Sequence, residues 1–129
     1  MRYMLLVYTT RRPSTPEEMA EVADGHRAVM DETERLGILY SADPLHPATT
    51  ATTVRKQDGK VLVTDGPFAE TKEQLAGYYL LDCKDIDEAV QWAAKIPTAC
   101  GGGQGCVEIR AVQDIGSDVA AIAAQRLRV

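Results

Sequence analysis

Apolar residues in this chain alternate in two distinct rhythms, and the switches between them lay out the elements. Residues 2–8 (Arg-Tyr-Met-Leu-Leu-Val-Tyr) are apolar on both alternating faces, the pattern of a strand covered on both sides. Thr10 to Pro16 break that run. Thr15-Pro16-Glu17-Glu18 then reads as a capping box with proline at the first helical position. Met19, Val22, Ala23, His26, Val29, Met30, Thr33 and Leu36 recur at helical spacing, and Gly37 suits the C-terminal cap.

After this helix come Ile38-Leu39-Tyr40 and the proline-flanked stretch Asp43 to Pro47. A threonine-rich strand from Thr49 to Lys56, the turn signal Asp58-Gly59 and a partner strand from Lys60 to Thr64 predict a hairpin. A connector over 65–75 leads to a nearly all-apolar central strand, Gly77 to Cys83. Asp85-Ile86-Asp87-Glu88 caps a second helix that ends before Pro97, with Ile86, Ala89, Val90, Ala93 and Trp92 as its inward candidates. Val107 to Val112 alternates as a last strand, and Ser117 starts an Ala-rich tail helix ending near Arg126 and Arg128.

The order β-α-β-(hairpin)-β-α-β is that of an α+β, ferredoxin-like βαββαβ sandwich with an extra β-hairpin. Two helices cover one face of such a sheet. The first strand and the Gly77–Cys83 strand are nevertheless apolar on both faces, so a second copy packed sheet to sheet is the expected cover.

At 129 residues with 45% hydrophobic positions, the chain is long enough for one domain with its own core. A net charge of −5 and a pI near 5.0 oppose a nucleic-acid groove or an anionic membrane surface. The longest apolar run, Met4 to Tyr8, is too short for a signal segment or a membrane span, so a cytoplasmic protein is expected. Cys83, Cys100 and Cys106 are read as free thiols, and the C-x5-C spacing of the last two fits no common zinc pattern. Gly101 to Gly105 lacks the Gly-Lys-Ser/Thr of a phosphate loop.

His26 is the sharpest candidate for chemistry. It sits on the apolar stripe of the first helix, and histidine titrates where proton transfer is useful. Its neighbour Gly25 is mid-helix, a placement about 1 kcal/mol worse than Ala that often marks a close approach. The bland alternative is a core histidine with a satisfied ring. The rigid turn Asp65-Gly66-Pro67-Phe68, with Glu70 and Lys72 beyond it, can hold Asp65 beside a sheet end, and Phe68, the single Phe of the chain, is expected to plug the core. Glu108 and Arg110 share a strand face, where Arg110 can hold a carboxylate or pair at the sheet edge. Tyr8, Tyr78 and Tyr79 bring hydroxyls to the same sheet. His46 lacks a metal-ligand partner at helical spacing, and no metal or cofactor is expected.

The run from Val63 to Cys83, with Asp65-Gly66-Pro67-Phe68 at its centre, resembles the DGPF signature of the YCII-related family. The resemblance spans residues 1–112 and leaves 113–129 as a tail. It implies a dimeric α+β barrel and, around Gly25-His26-Arg27, a histidine that pairs with an aspartate in a cleft between helices and sheet. In relatives that aspartate precedes the proline ending the second helix, where this chain has Ile96-Pro97. Asp65 is then the first candidate partner for His26 and Asp43, in Ala42-Asp43-Pro44-Leu45, the second. The expected function is a cofactor-free enzyme or binder of a small organic molecule. His26 moves protons, Asp65 orients it, and Tyr8, Asp43, Phe68, Tyr78 and Arg110 hold the substrate. A regulatory module tied to transcription, or a purely structural dimer, is the rival reading.

Overall fold

A computed structural model describes residues 1–10, 15–98 and 104–113. Four strands build the main sheet: β1 (Arg2–Thr10), β2 (Leu39–Pro44), β5 (Glu73–Asp82) and β6 (Gly105–Ala111), in the order β2-β5-β1-β6. All neighbours are antiparallel. Strands β1 and β2 therefore run parallel on either side of β5, joined by α1 (Pro16–Arg35). Strands β5 and β6 flank β1 in the same way, joined through α2 (Ile86–Ala93). These interleaved crossovers are the ferredoxin-like α+β arrangement.

Both helices start where their caps place them. Thr15 Oγ1 accepts from the Glu18 amide at 3.1 Å, and Asp85 Oδ1 from the Glu88 amide at 2.9 Å. They cover one face of the sheet. Leu5, Leu81 and Cys83 are fully buried there with Tyr3, Val7, Tyr79, Val29, Ala89, Trp92 and Ile96. Thr33 is polar and fully buried, and its hydroxyl donates to the Val29 carbonyl at 2.8 Å. The inward stripe of α2 runs through Ala89 and Trp92 and is continued by Ile96 beyond the helix, so Ile86 and Val90 face outward at 49% and 51% exposure, contrary to expectation.

On the opposite face, Met4, Leu6 and Tyr8 of β1 and Tyr78 and Leu80 of β5 are only half-covered. Glu108 and Arg110 of edge strand β6 lie on this face and pair at 3.7 Å.

The hairpin is a separate two-stranded sheet, β3 (Thr52–Gln57) with β4 (Lys60–Asp65), turned by Asp58 and Gly59 at φ 51° and 76°. Thr49 and Thr50, expected to start its first strand, lie instead in a 3₁₀ turn, Ala48–Thr50. Phe68 is 78% exposed instead of plugging the core, because the ribbon that carries its turn stands apart from the main sheet. Strand β5 begins four residues before Gly77. Among the described residues no helix is long and apolar enough to cross a membrane. The expected tail helix and Cys100 lie outside the described residues.

Candidate functional site

A cleft of about 560 Å³ opens between the middle of α1, the adjoining ends of β1 and β5, and the connector that leaves β2. Its size is that of small-molecule sites generally. The walls are mostly apolar: Val7, Val22, Ala23, Met30, Leu45, Pro47 and Pro97.

Two close approaches define its shape. A Cβ added at Gly25 would stand 2.6 Å from Pro97 Cγ, so glycine there lets the segment after α2 lie against α1 one residue from His26. At Gly77 a Cβ would meet the Asp43 carbonyl at 2.8 Å, so glycine brings β2 tight against β5. Leu45 continues that pairing by donating its amide to the Ala76 carbonyl at 2.8 Å. The connector Leu45-His46-Pro47 is thereby carried along the cleft.

His26 is half-buried in this setting, and its ring stacks on Tyr79, with centroids 5.9 Å apart and planes inclined by 16°. Its Nδ1 lies 2.6 Å from Tyr79 Oη. Burial lowers the His26 pKa from its ordinary 6.5, because a charged imidazolium loses water that these walls do not replace. Burial also pushes the Tyr79 hydroxyl up to about 12. Both groups are therefore neutral at neutral pH. Either the hydroxyl donates to a bare Nδ1, or Nδ1–H donates to the hydroxyl oxygen, and each tautomer leaves Nε2 for a ligand.

Asp43 and Tyr78 also line the cleft, and Tyr78 Oη donates to Asp43 Oδ2 at 2.5 Å. That hydrogen bond to a carboxylate raises the Tyr78 pKa. His46 lines the connector side, and Arg27 lines the mouth, where its guanidinium is 3.5 Å from Asp24 in an exposed pair.

Of the residues singled out from sequence, His26, Asp43 and Tyr78 line the cleft, but strand alternation turns the hydrogen-bonded side chains of Asp43 and Tyr78 to the open face of the sheet, away from the His26 ring. The other four lie elsewhere. Asp65 is exposed at the end of β4 and does not line the cleft. Its turn is instead fastened to the start of the hairpin: the Gly66 amide donates to the Ala51 carbonyl at 2.6 Å, and Thr53 Oγ1 donates to the Gly66 carbonyl at 2.8 Å. Phe68 projects from that turn. Tyr8 and Arg110 are on the open face of the sheet. Ile96, the residue before Pro97, is 5% exposed and belongs to the core. Tyr79 as the partner of His26 was not foreseen, although strand alternation already sets it on the helix-covered face with Leu81. Among the described residues no group of three or more His, Cys, Asp or Glu could hold a metal ion.

The sequence matches the model of the YCII-related domain over residues 1–115. It is also 38% identical over 113 residues to an uncharacterised protein of Rhizobium meliloti (strain 1021), an alignment covering 85% of this chain and 90% of that protein.

Proposed function

The chain belongs to the YCII-related family, and on that footing we propose that it binds a small organic molecule in the cleft beneath α1 and moves a proton on it. His26 is the proton carrier and Tyr79 the residue that fixes its ring. The carrying observation is an imidazole nitrogen 2.6 Å from a phenol oxygen, set into a mostly apolar cleft of about 560 Å³. A base kept unprotonated by burial is ready to accept a proton from a weakly acidic C–H or from water. The end of β2 and the connector from Leu45 to Pro47 form the wall that receives the substrate from the β2 side. The reaction class is a proton-transfer isomerisation, elimination or hydrolysis, which needs no cofactor. A structural dimer with its cavity filled by side chains is disfavoured by the open cleft.

The open face of the sheet supports a homodimer. Met4, Leu6 and Leu80 would be covered by the same residues of a second copy, in the self-complementary manner of a two-fold interface. The Asp65–Phe68 turn supports placement in the DGPF subgroup, and free thiols on an acidic chain support a reducing, cytoplasmic setting.

The test is solvent deuterium incorporation. Purified protein in D₂O is incubated with a panel of cyclic ketones and lactones, and uptake at the acidic carbon is followed by mass spectrometry. His26→Asn should slow uptake by roughly a hundredfold or more, and Tyr79→Phe by a smaller factor. Exchange at the full rate in His26→Asn would remove His26 from the chemistry.

A further inference from the structure

The cleft gathers potential positive charge on a molecule of net negative charge. The chain carries a formal net charge of −5, yet both of its histidines line this cleft and Arg27 lines its mouth. Among the lining residues the single carboxylate is Asp43, and that group already accepts the Tyr78 hydroxyl at 2.5 Å.

The groups that face His26 are few. From β5 there is the neutral Tyr79 hydroxyl. The β1 end and the segment after α2 contribute Thr9, Pro97 and Thr98, none of them charged. Arg27, in an exposed pair with Asp24 at 3.5 Å, is the adjoining charge on α1, while Asp43 and His46 stand on the β2 side. Among the described residues, the His26 side chain thus has a hydrogen-bonding partner and no ion-pair partner.

We infer that the cleft takes a small organic anion, a carboxylate on an apolar or aromatic body, and that binding it draws one proton from solvent onto His26. This deepens the reading of the cleft as the small-molecule site and rests on it, with His26 entering the proton transfer on an anionic ligand as the acid rather than as the base. The protonated ring has a use for both nitrogens. Nδ1–H donates to Tyr79 Oη, and Nε2–H donates to the bound carboxylate, forming a charge-assisted bond shielded from water. The apolar walls take the body of the ligand. An apolar cavity of about 150 Å³ already holds benzene, so this larger cleft has room for a substituted ring.

The sign of the pH effect follows from linkage. In the free protein burial holds His26 below its ordinary 6.5, and a bound anion raises it. Between the two values binding takes up a proton, so affinity rises as pH falls, by up to about tenfold per unit of pH. A carboxylic acid stays ionised above pH ~5.5, which leaves His26 as the titrating group at the site's centre. His46 is the second group that can answer to the anion, and His46→Asn separates its share.

The experiment is calorimetric titration of the full chain with benzoate, its neutral isostere benzamide and the cation benzylamine. Titrations run from about pH 5.5 to 8 in two buffers of different ionisation enthalpy. Benzoate is expected to bind at least about threefold more tightly at the low end, with proton uptake. Benzamide should bind more weakly and without pH dependence, and His26→Asn should flatten the benzoate profile. NMR titration of the wild-type His26 ring, with and without benzoate, should show its pKa rising, which keeps the test standing if the variant does not fold. Benzamide or benzylamine binding as tightly as benzoate, without proton uptake, overturns the anion inference and leaves the cleft a ligand site. If none of the three binds and no cleft resonance moves, the inference and the small-molecule reading fall together.

Discussion

Replacing Gly25 by alanine sets two effects of similar size against each other, and the structure decides the sign. Alanine in a helix interior is better than glycine by about 1 kcal/mol. The new Cβ, however, would lie 2.6 Å from Pro97 Cγ, where carbon atoms ordinarily meet at about 3.5–4.0 Å. The proline ring is rigid, so it has to retreat by about 1 Å or push α1 away, and overpacking of this kind costs roughly 1–3 kcal/mol. The net expectation for Gly25→Ala is a loss of up to about 2 kcal/mol in urea denaturation. Pro97→Ala removes Cγ and Cδ and leaves Cβ at 3.8 Å, an ordinary contact. In that background Gly25→Ala should stabilise by about 1 kcal/mol, so the cycle carries a coupling of roughly 1–3 kcal/mol. Equal stabilisation by Gly25→Ala in both backgrounds would refute the contact, and with it the account of how the wall beside His26 is placed.

Other outcomes follow from the same structure. Because burial lowers the His26 pKa from 6.5, the unfolded chain takes this proton first on acidification. Stability should fall as pH drops below about 6.5 and through the folded value, and denaturation curves of His26→Asn should lack that component; an unchanged pH profile would dismiss it. Cys83 is buried, with its thiol pushed up to about 11 by desolvation first and then by Glu88, whereas Cys106 is exposed. Iodoacetamide followed by peptide mass spectrometry should label Cys106 in the native protein and Cys83 only on unfolding, and early labelling of Cys83 would contradict its burial. Leu6→Glu places a charge in the centre of the open sheet face, so if the proposed homodimer forms there, light scattering should report a dimer for the wild type and a monomer for the variant with unchanged far-ultraviolet circular dichroism; equal masses for the two would refute that interface.

The fold was legible because each main element announces itself locally. The Thr15 capping box, the two-sided apolar β1 and the Asp58-Gly59 turn need no tertiary knowledge. Where the reading slipped, tertiary packing had the deciding vote. Glu73 to Ala76 carry one large apolar residue, Leu75, and look like loop, yet they extend β5 because the ladder with β1 continues to Thr10 after a bulge at Val7/Tyr8. Helix α2 is eight residues long, too short for periodicity to choose between the Ile86–Val90 row and the Ala89–Trp92 row. Phe68 was assigned to the core on size alone, without a way to know that its hairpin stands apart. At the site, the spacing of α1 pointed to His26 directly. Its partnership with Tyr79 joins residues 53 apart in sequence, and no local pattern encodes such a meeting. Asp43 was seen only as second to Asp65, since the strand pairing that carries it to the cleft depends on Gly77.

The position of β1 in the sheet has a consequence for synthesis. Strand β1 is made before either of its neighbours in the sheet, β5 and β6, which end at Asp82 and Ala111. At about 5–20 residues per second, roughly 5–20 s separate the translation of β1 from that of its last partner. During that interval Leu5 and Val7 have no sheet to enter, and the nascent segment from Tyr3 to Val7 is an apolar ribbon with both edges unpaired. Nascent-chain pulldown with arrest points before and after β6 should therefore find chaperones held on the N-terminal segment until the closing strand emerges, and released once it pairs.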